Sequence, residues 1–392
     1  MRLDLRGYVG LVLLLVSSLA SADSWAPAEV ARYTSANGLA RVTITPRPLG
    51  GALNYFSDKV DGTEPAGQRV GEDQTQPFAM LMRRDSNGSW DTVWNAPLVN
   101  DVAPVDALVT NDGKRLVTFD NWHSMGYGSD VVVIYGQDGK LIRQFALEDF
   151  LPEAYIAFLP KSVSSIWWGR DHYLDEQAGD LVLQVRQPGS GAHQPSALVE
   201  VRIRLRDGKV LPHEGPAWTG AMAKVRELDE ERQKRWRELR TLRAQPLHAP
   251  RGDDAEEWRD YLVELRERLT ESSGKQHAGR VLPAPGDAEF ADQEEWIKGM
   301  LDDVGGVRLS FGSHFVFASP SPEALARLLE EQLRSVEPRG MKGIRVTFVG
   351  LPEHGDRVKT AAAGSGAEIV LLDIRSAVPG MALRGPIPEW VR

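Results

Sequence analysis

The chain has 392 residues, 42% hydrophobic and 26% charged, enough to build more than one core and too evenly mixed for a collagen-like or wholly disordered protein. Its 46 basic residues stand against 55 acidic ones, a net charge of −9, so the overall field offers no attraction for nucleic acid or an anionic membrane. The absence of cysteine from the sequence excludes disulfides, thiol nucleophiles and cysteine-ligated zinc.

Residues 1–22 read as a secretory signal. Arg2 and Arg6 precede an apolar run from Gly7 to Leu19, and Ala20, Ser21 and Ala22 form a small-residue cleavage site. Export without disulfides points to a bacterial periplasm or the medium. No later stretch has the apolar length of a membrane-spanning helix, so no membrane span is expected once the signal is removed.

Residues 23–215 are expected to form an antiparallel β-rich domain. Asn37-Gly38, Asn87-Gly88, Asp112-Gly113, Asp138-Gly139 and Asp207-Gly208 each lie between apolar or alternating runs. That pattern predicts hairpins closed by type I′ turns, whose two central residues both take φ > 0. The flanking runs are Leu39 to Thr45, Phe78 to Met82, Trp90 to Trp94, Arg115 to Phe119, Asp130 to Tyr135, Leu141 to Phe145, Asp180 to Arg186 and Leu198 to Leu205, rich in β-branched and aromatic residues. Gly50 to Pro77 interrupts them with glycines and acidic residues, and reads as a lid or binding loop, or else as a mobile surface insertion.

Thr34 to Gly38 before Arg41-Val42-Thr43-Ile44, and Val109 to Gly113 before Arg115-Leu116-Val117-Thr118-Phe119, repeat one design: a small polar residue, Asn or Asp with Gly, then a strand. Residues 28–212 thereby resemble the hairpins inside blades of WD-type β-propellers, which implies a propeller-like fold. The length suffices for about two or three four-stranded blades, fewer than a closed propeller uses, and a sandwich or partly open barrel fits the same pattern.

The period then changes. Trp218, Met222, Val225, Leu228, Trp236, Leu239 and Leu242 form one helical stripe, and Trp258, Leu262, Leu265 and Leu269 form another after the cap at Asp253-Asp254. Residues 216–272 are therefore expected to be an antiparallel αα-hairpin, with the basic end of its first helix (Arg232 to Arg243) facing the acidic start of the second (Asp253 to Glu257). Its narrow stripes call for another surface, either a neighbouring domain or a second copy paired through residues 217–271. Residues 273–288 read as a linker, 289–376 as a small α/β domain of order β-α-β-α-β, and 377–392 as a C-terminal tail. The α/β segment is similar in size and order of elements to the periplasmic domain of TolR-type and ExbD-type transport-energising proteins, but lacks their adjacent membrane anchor.

Chemistry concentrates between two expected strands, in Asp120-Asn121-Trp122-His123-Ser124-Met125-Gly126-Tyr127-Gly128. Loops on a rigid sheet are where ligand contacts gather. Asp120, Trp122, His123, Tyr127, Trp167, Trp168 and His172 are expected to line an aromatic cleft, with rings stacking on a glycan or peptide and Asp or His orienting its hydroxyls. The alternative places Trp122 and Trp167 as caps on the core. His123-Ser124-Met125-Gly126 also resembles the G-x-S-x-G nucleophile elbow of α/β-hydrolase lipases, which implies Ser124 as nucleophile, with His123 and Asp120 or Asp130 behind it. Trp122 stands where that motif has its first glycine, and a strand follows where the elbow needs a helix. The eight histidines show no metal-ligand spacing and no phosphate-binding glycine pattern occurs, so neither metal nor cofactor is expected. The expected function is non-catalytic binding of an envelope protein or glycan through the β-domain loops; the rival is a serine hydrolase of an envelope or extracellular substrate.

Overall fold

The computed structural model describes residues 27–191, 197–302, 313–383, 385–388 and 391. The signal expected at residues 1–22, together with His193 and the start of the segment expected as a strand from Val307, lies outside them. Among the described residues the fold mixes seven helices with three antiparallel sheets and one parallel sheet. The chain divides into two compact units, with the boundary between Glu231 and Arg232.

In the first unit, strands pair as sequential four-stranded meanders. β1 (Ala31–Thr34), β2 (Ala40–Thr45), β3 (Phe78–Arg84) and β4 (Trp90–Pro97) make one sheet; β5 (Asp106–Val109), β6 (Leu116–Phe119), β7 (Val132–Tyr135) and β8 (Leu141–Phe145) make the next. β9 (Tyr173–Asp175), β10 (Asp180–Arg186), β11 (Leu198–Arg204) and β12 (Lys209–Val210) make the third. Side chains alternate across a strand, so β6 serves two cores at once. Leu116 packs with Val42, Leu81 and Trp94 of the first sheet, while Val117 and Phe119 pack with Leu181, Leu183 and Val201 of the third. Each such side chain, buried outright, contributes about 1.5–3 kcal/mol. The middle sheet is apolar on both faces for that reason.

The hairpin turns differ from the expected type I′. Gly38, Gly88, Gly113, Gly139 and Gly208 have positive φ, but the Asn or Asp before each does not. A side-chain acceptor organises the turn instead. Asp85 Oδ1 accepts from the Asn87 and Ser89 amides at 2.9 and 2.8 Å, and Thr110 Oγ1 accepts from the Arg115 amide at 3.0 Å. Only the glycine then needs the left-handed region. The third sheet opens with a turn one residue longer, in which Gly179 N donates to Asp175 O four residues back at 2.8 Å, where Gly113 N donates to Thr110 O three residues back at 2.9 Å. The three turns are linked: Asn37 N donates to Asn111 Oδ1 at 2.9 Å, and Asn111 N to Glu176 Oε1 at 2.6 Å. The segment from Gly50 to Pro77 also departs from a plain loop, since it contains helix α1 (Ala52–Asp61).

After the four-residue helix α2 (Glu153–Ile156), the long α3 (Pro216–Ala244) begins in the first unit, where Ala221 and Val225 join the core between the second and third sheets. The second unit holds the parallel sheet β13 (Ala278–Val281), β14 (His314–Ala318), β15 (Arg345–Gly350) and β16 (Glu368–Asp373), paired in chain order. Phe315, Phe317 and Phe348 on one face pack with Ile297 of α5 (Phe290–Asp302), Leu325 of α6 (Pro322–Ser335) and Val358 of α7 (Pro352–Ala362). The other face is covered by α4 (Ala255–Ser273), whose Trp258, Tyr261, Leu262 and Leu265 lie on Val281, Val316, Ala318 and Val349. Because strand order never reverses, the sheet lacks the switch-point crevice in which doubly wound sheets bind ligands.

These contacts decide four expectations, one between its alternatives and three as corrections. The stripe of α4 is covered by the parallel sheet, the neighbouring-surface alternative for the expected αα-hairpin, and so is not left for a second copy. The stretch read as a linker supplies β13, because Val281 and Ala278 are buried by α4 and by the helices opposite. The expected charge pairing also shifts: Asp254 Oδ1 caps α4 through the Glu256 and Glu257 amides, and Arg243 lies instead beside Glu264, Glu267 and Glu271 at 3.5, 3.6 and 3.7 Å. The residues read as a tail pack too, with Leu383 and Val391 around Trp236.

A double-mutant cycle between Leu265→Ala and Val316→Ala tests the seat of α4. Urea unfolding is expected to give a coupling of about 0.5–3 kcal/mol, and additivity would mean that the helix packs elsewhere.

Candidate functional site

Arg47 follows β2 and is only 1% exposed. A guanidinium keeps its charge in any protein, so each of its donors needs an acceptor once water is gone. Nε donates to Asp101 O at 3.1 Å, Nη1 to Gln68 Oε1 at 3.1 Å, and Nη2 to Ala66 O at 2.8 Å and Asp101 Oδ1 at 3.0 Å. These acceptors come from the connection between β4 and β5 and from the chain after α1. Arg47 thereby ties the segment from Gly50 to Pro77 to the ends of the sheets.

The same tie positions α1. Gly67, at φ +65°, lies so close to this helix that a Cβ there would stand 2.7 Å from Tyr55 Cα, which leaves room only for glycine. Tyr55 is thus held with its hydroxyl 2.7 Å from Asp101 Oδ2 and 3.0 Å from His123 Nδ1. Lys59, one turn on, sits 3.1 Å from Asp101 Oδ2 and 2.6 Å from Glu64. Burial pushes the Asp101 carboxyl up, but hydrogen bonds from Tyr55 and Lys59 and the charges of Lys59 and Arg47 outweigh it and hold the group below its ordinary value.

Proton placement follows. Tyr55 has one hydroxyl proton, and the ionised Asp101 carboxylate takes it, so the Tyr55 oxygen accepts from His123 Nδ1–H. Burial lowers the basicity of His123, keeping the ring neutral near pH 7, and Nε2 is then an unprotonated acceptor. The chain Asp101, Tyr55, His123 fixes a tautomer as well as an orientation.

Asp120 ends β6 in the left-handed region, at φ +54°, a conformation Asp tolerates better than most residues. Its buried carboxylate accepts from Gly126 N at 2.7 Å and from Trp168 Nε1 at 3.1 Å, pinning the loop at both ends. Gly126 is also at positive φ, and a Cβ there would meet Ile166 at 2.8 Å. Between these pins, Asn121 and Ser124 close a tight turn through mutual backbone bonds of 3.1 and 3.0 Å. Asp120 is pushed up to about 7 by burial and by the charge of Asp130, against its two hydrogen bonds.

The result is a cleft of about 470 Å3, lined by Lys59, Asp101, Asn121, His123, Ser124 and Asp130, with Tyr127 at its rim, 38% exposed. Burial raises Asp130, partly opposed by its hydrogen bond from Asn121. Every polar side chain in this inventory can donate or accept, and most are fixed before any ligand arrives.

The sequence candidates divide. His123 and Tyr127 line the cleft, as does Ser124. Trp122 lines a separate, more apolar hollow of about 400 Å3, and its ring stacks on Phe56 at 6.5 Å. Trp168 is 1% exposed and stacks on His172 at 4.6 Å, whose Nδ1 accepts from Gln184 N at 3.0 Å. Trp168 belongs to the core and reaches Asp120 from there, His172 packs against it, and burial lowers His172 to about 3. Trp167 is half-buried and its amide binds Pro160 O at 2.9 Å, outside the cleft lining. One continuous aromatic cleft is therefore not formed. Asp120 serves the loop rather than a His123–Ser124 pair, and among the described residues no hydrogen bond joins His123 to Ser124. Arg47, Tyr55, Lys59 and Asp101 are the partners that sequence reading missed. The one available signal was Tyr55 and Lys59 four residues apart within the polar excursion, which marks a helix face.

In comparison with known proteins, no family model matches the chain and no curated protein is significantly similar to it.

Two measurements check this site. In 15N-detected NMR at neutral pH, His123 is expected to show a protonated Nδ1 and an unprotonated Nε2, and Tyr55→Phe is expected to abolish that bias; equal tautomer populations in the unmutated protein would contradict the assignment. Asp120 concerns stability. Between about pH 4 and pH 7 the folded state holds a proton at Asp120 that the unfolded chain has released, so its contribution is full below that window and lost as pH rises through it. At about 1.4 kcal/mol per pH unit, the stability of the natural protein relative to Asp120→Asn is expected to fall by up to about 4 kcal/mol from pH 4 to pH 8 in urea unfolding. A difference that stays flat with pH would refute the assignment.

Proposed function

We propose that this chain is an exported, non-catalytic binding protein whose first unit recognises a short polyhydroxylated ligand, a glycan, in the cleft between Asp101 and Asp130. The observation that carries the reading is the pre-organised polar lining: Asp101 held by Arg47, Tyr55 and Lys59, and Asn121 holding Asp130 while its Oδ1 accepts from Asp101 N at 3.2 Å. Side chains already locked by hydrogen bonds lose little freedom on binding, and a cleft of about 470 Å3 suits a few sugar rings, with Tyr127 at the rim as a stacking surface. A protein partner would want a broad face of roughly 800 Å2 with an apolar centre, which a small polar hollow does not offer. Export is supported by the basic and apolar pattern of residues 1–22. Among the described residues no helix is long and apolar enough to cross a membrane.

The three antiparallel meanders are, on the same footing, three propeller-like blades. Their four-stranded pairing order, their shared cores and the linked turns at Asn37, Asn111 and Glu176 support that reading. Ligands of such arrays gather where loops from successive sheets meet, and here the lining comes from the connection between the first two sheets, from the loop between β6 and β7 and from the excursion between β2 and β3 that carries Lys59.

The serine hydrolase reading has less support. Ser124 lies in a tight turn that leads to β7 rather than to a helix, and His123 spends Nδ1 on Tyr55. Neutral oligosaccharides of glucose and N-acetylglucosamine, titrated into the protein and followed by amide NMR, are expected to shift resonances at Asp101, Asn121 to Ser124 and Asp130. Asn121→Ala is expected to weaken binding by about tenfold, equivalent to one hydrogen-bond set near 1.4 kcal/mol. A fluorophosphonate probe is expected to leave Ser124 unmodified; labelling that disappears in Ser124→Ala would establish the hydrolase in place of the binding protein.

A further inference from the structure

The cleft lining carries three acidic side chains, Glu64, Asp101 and Asp130, and one basic one, Lys59. Asp101 is satisfied by Arg47, Tyr55 and Lys59, and the Lys59 ammonium is itself engaged by Glu64 and Asp101. Asp130 is different. Among the described residues no cationic side chain forms an ion pair with it, and its one side-chain partner is the neutral amide of Asn121. The lining thus sets Lys59 against Glu64, Asp101 and Asp130, and the buried Arg47 behind Asp101 still leaves an acidic excess. His123 adds a neutral acceptor at Nε2 by the proton placement derived above. A carboxylate and an imidazole lone pair that line one cleft are complementary to a group that brings several protons and a positive charge.

An inorganic cation fits less well, because among the described residues no group of three His, Cys, Asp or Glu side chains is close enough to hold one. A primary ammonium has three donors and needs no such cage. The Tyr127 ring, exposed at the rim of the same cleft, offers a face to a cation.

We propose that the cleft takes a sugar bearing a free primary ammonium, an amino sugar in its unacetylated form, with the ammonium on Asp130 and His123 Nε2 and beside the ring of Tyr127. The inference rests on the cleft being a glycan site, as argued under the proposed function, and adds the charged group that selects the glycan. Burial, which raises the Asp130 carboxyl, is offset when an ammonium docks against it, so the incoming charge restores the ionised form.

The test titrates three probes into the full chain at neutral pH by calorimetry and amide NMR: a β-linked glucosamine tetrasaccharide, its fully N-acetylated counterpart and the glucose tetrasaccharide. The glucosamine probe is expected to bind about ten- to a hundredfold more tightly than the other two, the effect of one charge-assisted hydrogen-bond set. In Asp130→Asn the ratio of glucosamine to glucose affinity is expected to fall to about one, whatever change in affinity the three probes share. Equal affinity for all three, or a preference that survives in Asp130→Asn, overturns the ammonium inference and leaves the glycan cleft standing. Failure of every probe to move any cleft resonance overturns both. The comparison among sugars in the unmutated protein stands even where the variant does not fold.

Discussion

A guanidinium without water is the constraint on which the first unit depends. Arg47 cannot shed its charge, and an uncompensated buried charge would cost several kcal/mol, a large part of the stability of any domain. The chain meets that demand by bringing the carbonyls of Ala66 and Asp101, the Gln68 amide and the Asp101 carboxylate around one side chain. Satisfying Arg47 thereby folds the polar excursion back onto the sheet ends. Tyr55, Lys59 and His123 take their places as consequences, each oriented by the group before it. The cleft is a by-product of one buried charge being neutralised completely.

Much of the scaffold was legible in the sequence because it obeys local rules. The runs from Phe78 to Met82, Leu141 to Phe145 and Asp180 to Arg186 are strands in the structure as their apolar patterns predict, and the parallel unit follows the expected alternation of strand and helix. What escaped were elements too short or too polar to announce themselves. β5 and β9 have four and three residues, and the turn into β10 carries Glu176 and Gln177 in place of Asn-Gly. Tertiary burial, not periodicity, makes Ala278–Val281 a strand, since its neighbours Val316 and Phe315 complete its pairing.

The site was legible only in part, and for a physical reason. The loop from Asp120 to Gly128 draws attention through its composition, and it does supply His123, Ser124 and Tyr127 to the cleft. Composition does not say which way a ring points. Trp168 and His172 look like binding residues in the sequence, yet Trp168 holds Asp120 through its indole Nε1–H and His172 stacks beneath it. The partners of His123 come from positions far away in the chain, brought close by Arg47. No local pattern encodes that meeting, because its cause is the desolvation of a charge in a different segment.

The most direct test of this account is amide hydrogen exchange on Arg47→Met, a variant that keeps the apolar stem and removes the charge. The account predicts that protection is lost at Gly50, Gly67 and Asp101, whose amides bond to Gly67 O, Asp58 and Asn121, while the amides of β6 and β7 keep theirs. If Gly50, Gly67 and Asp101 remain as protected as in the natural protein, the excursion is held without the buried guanidinium and the cleft has some other origin.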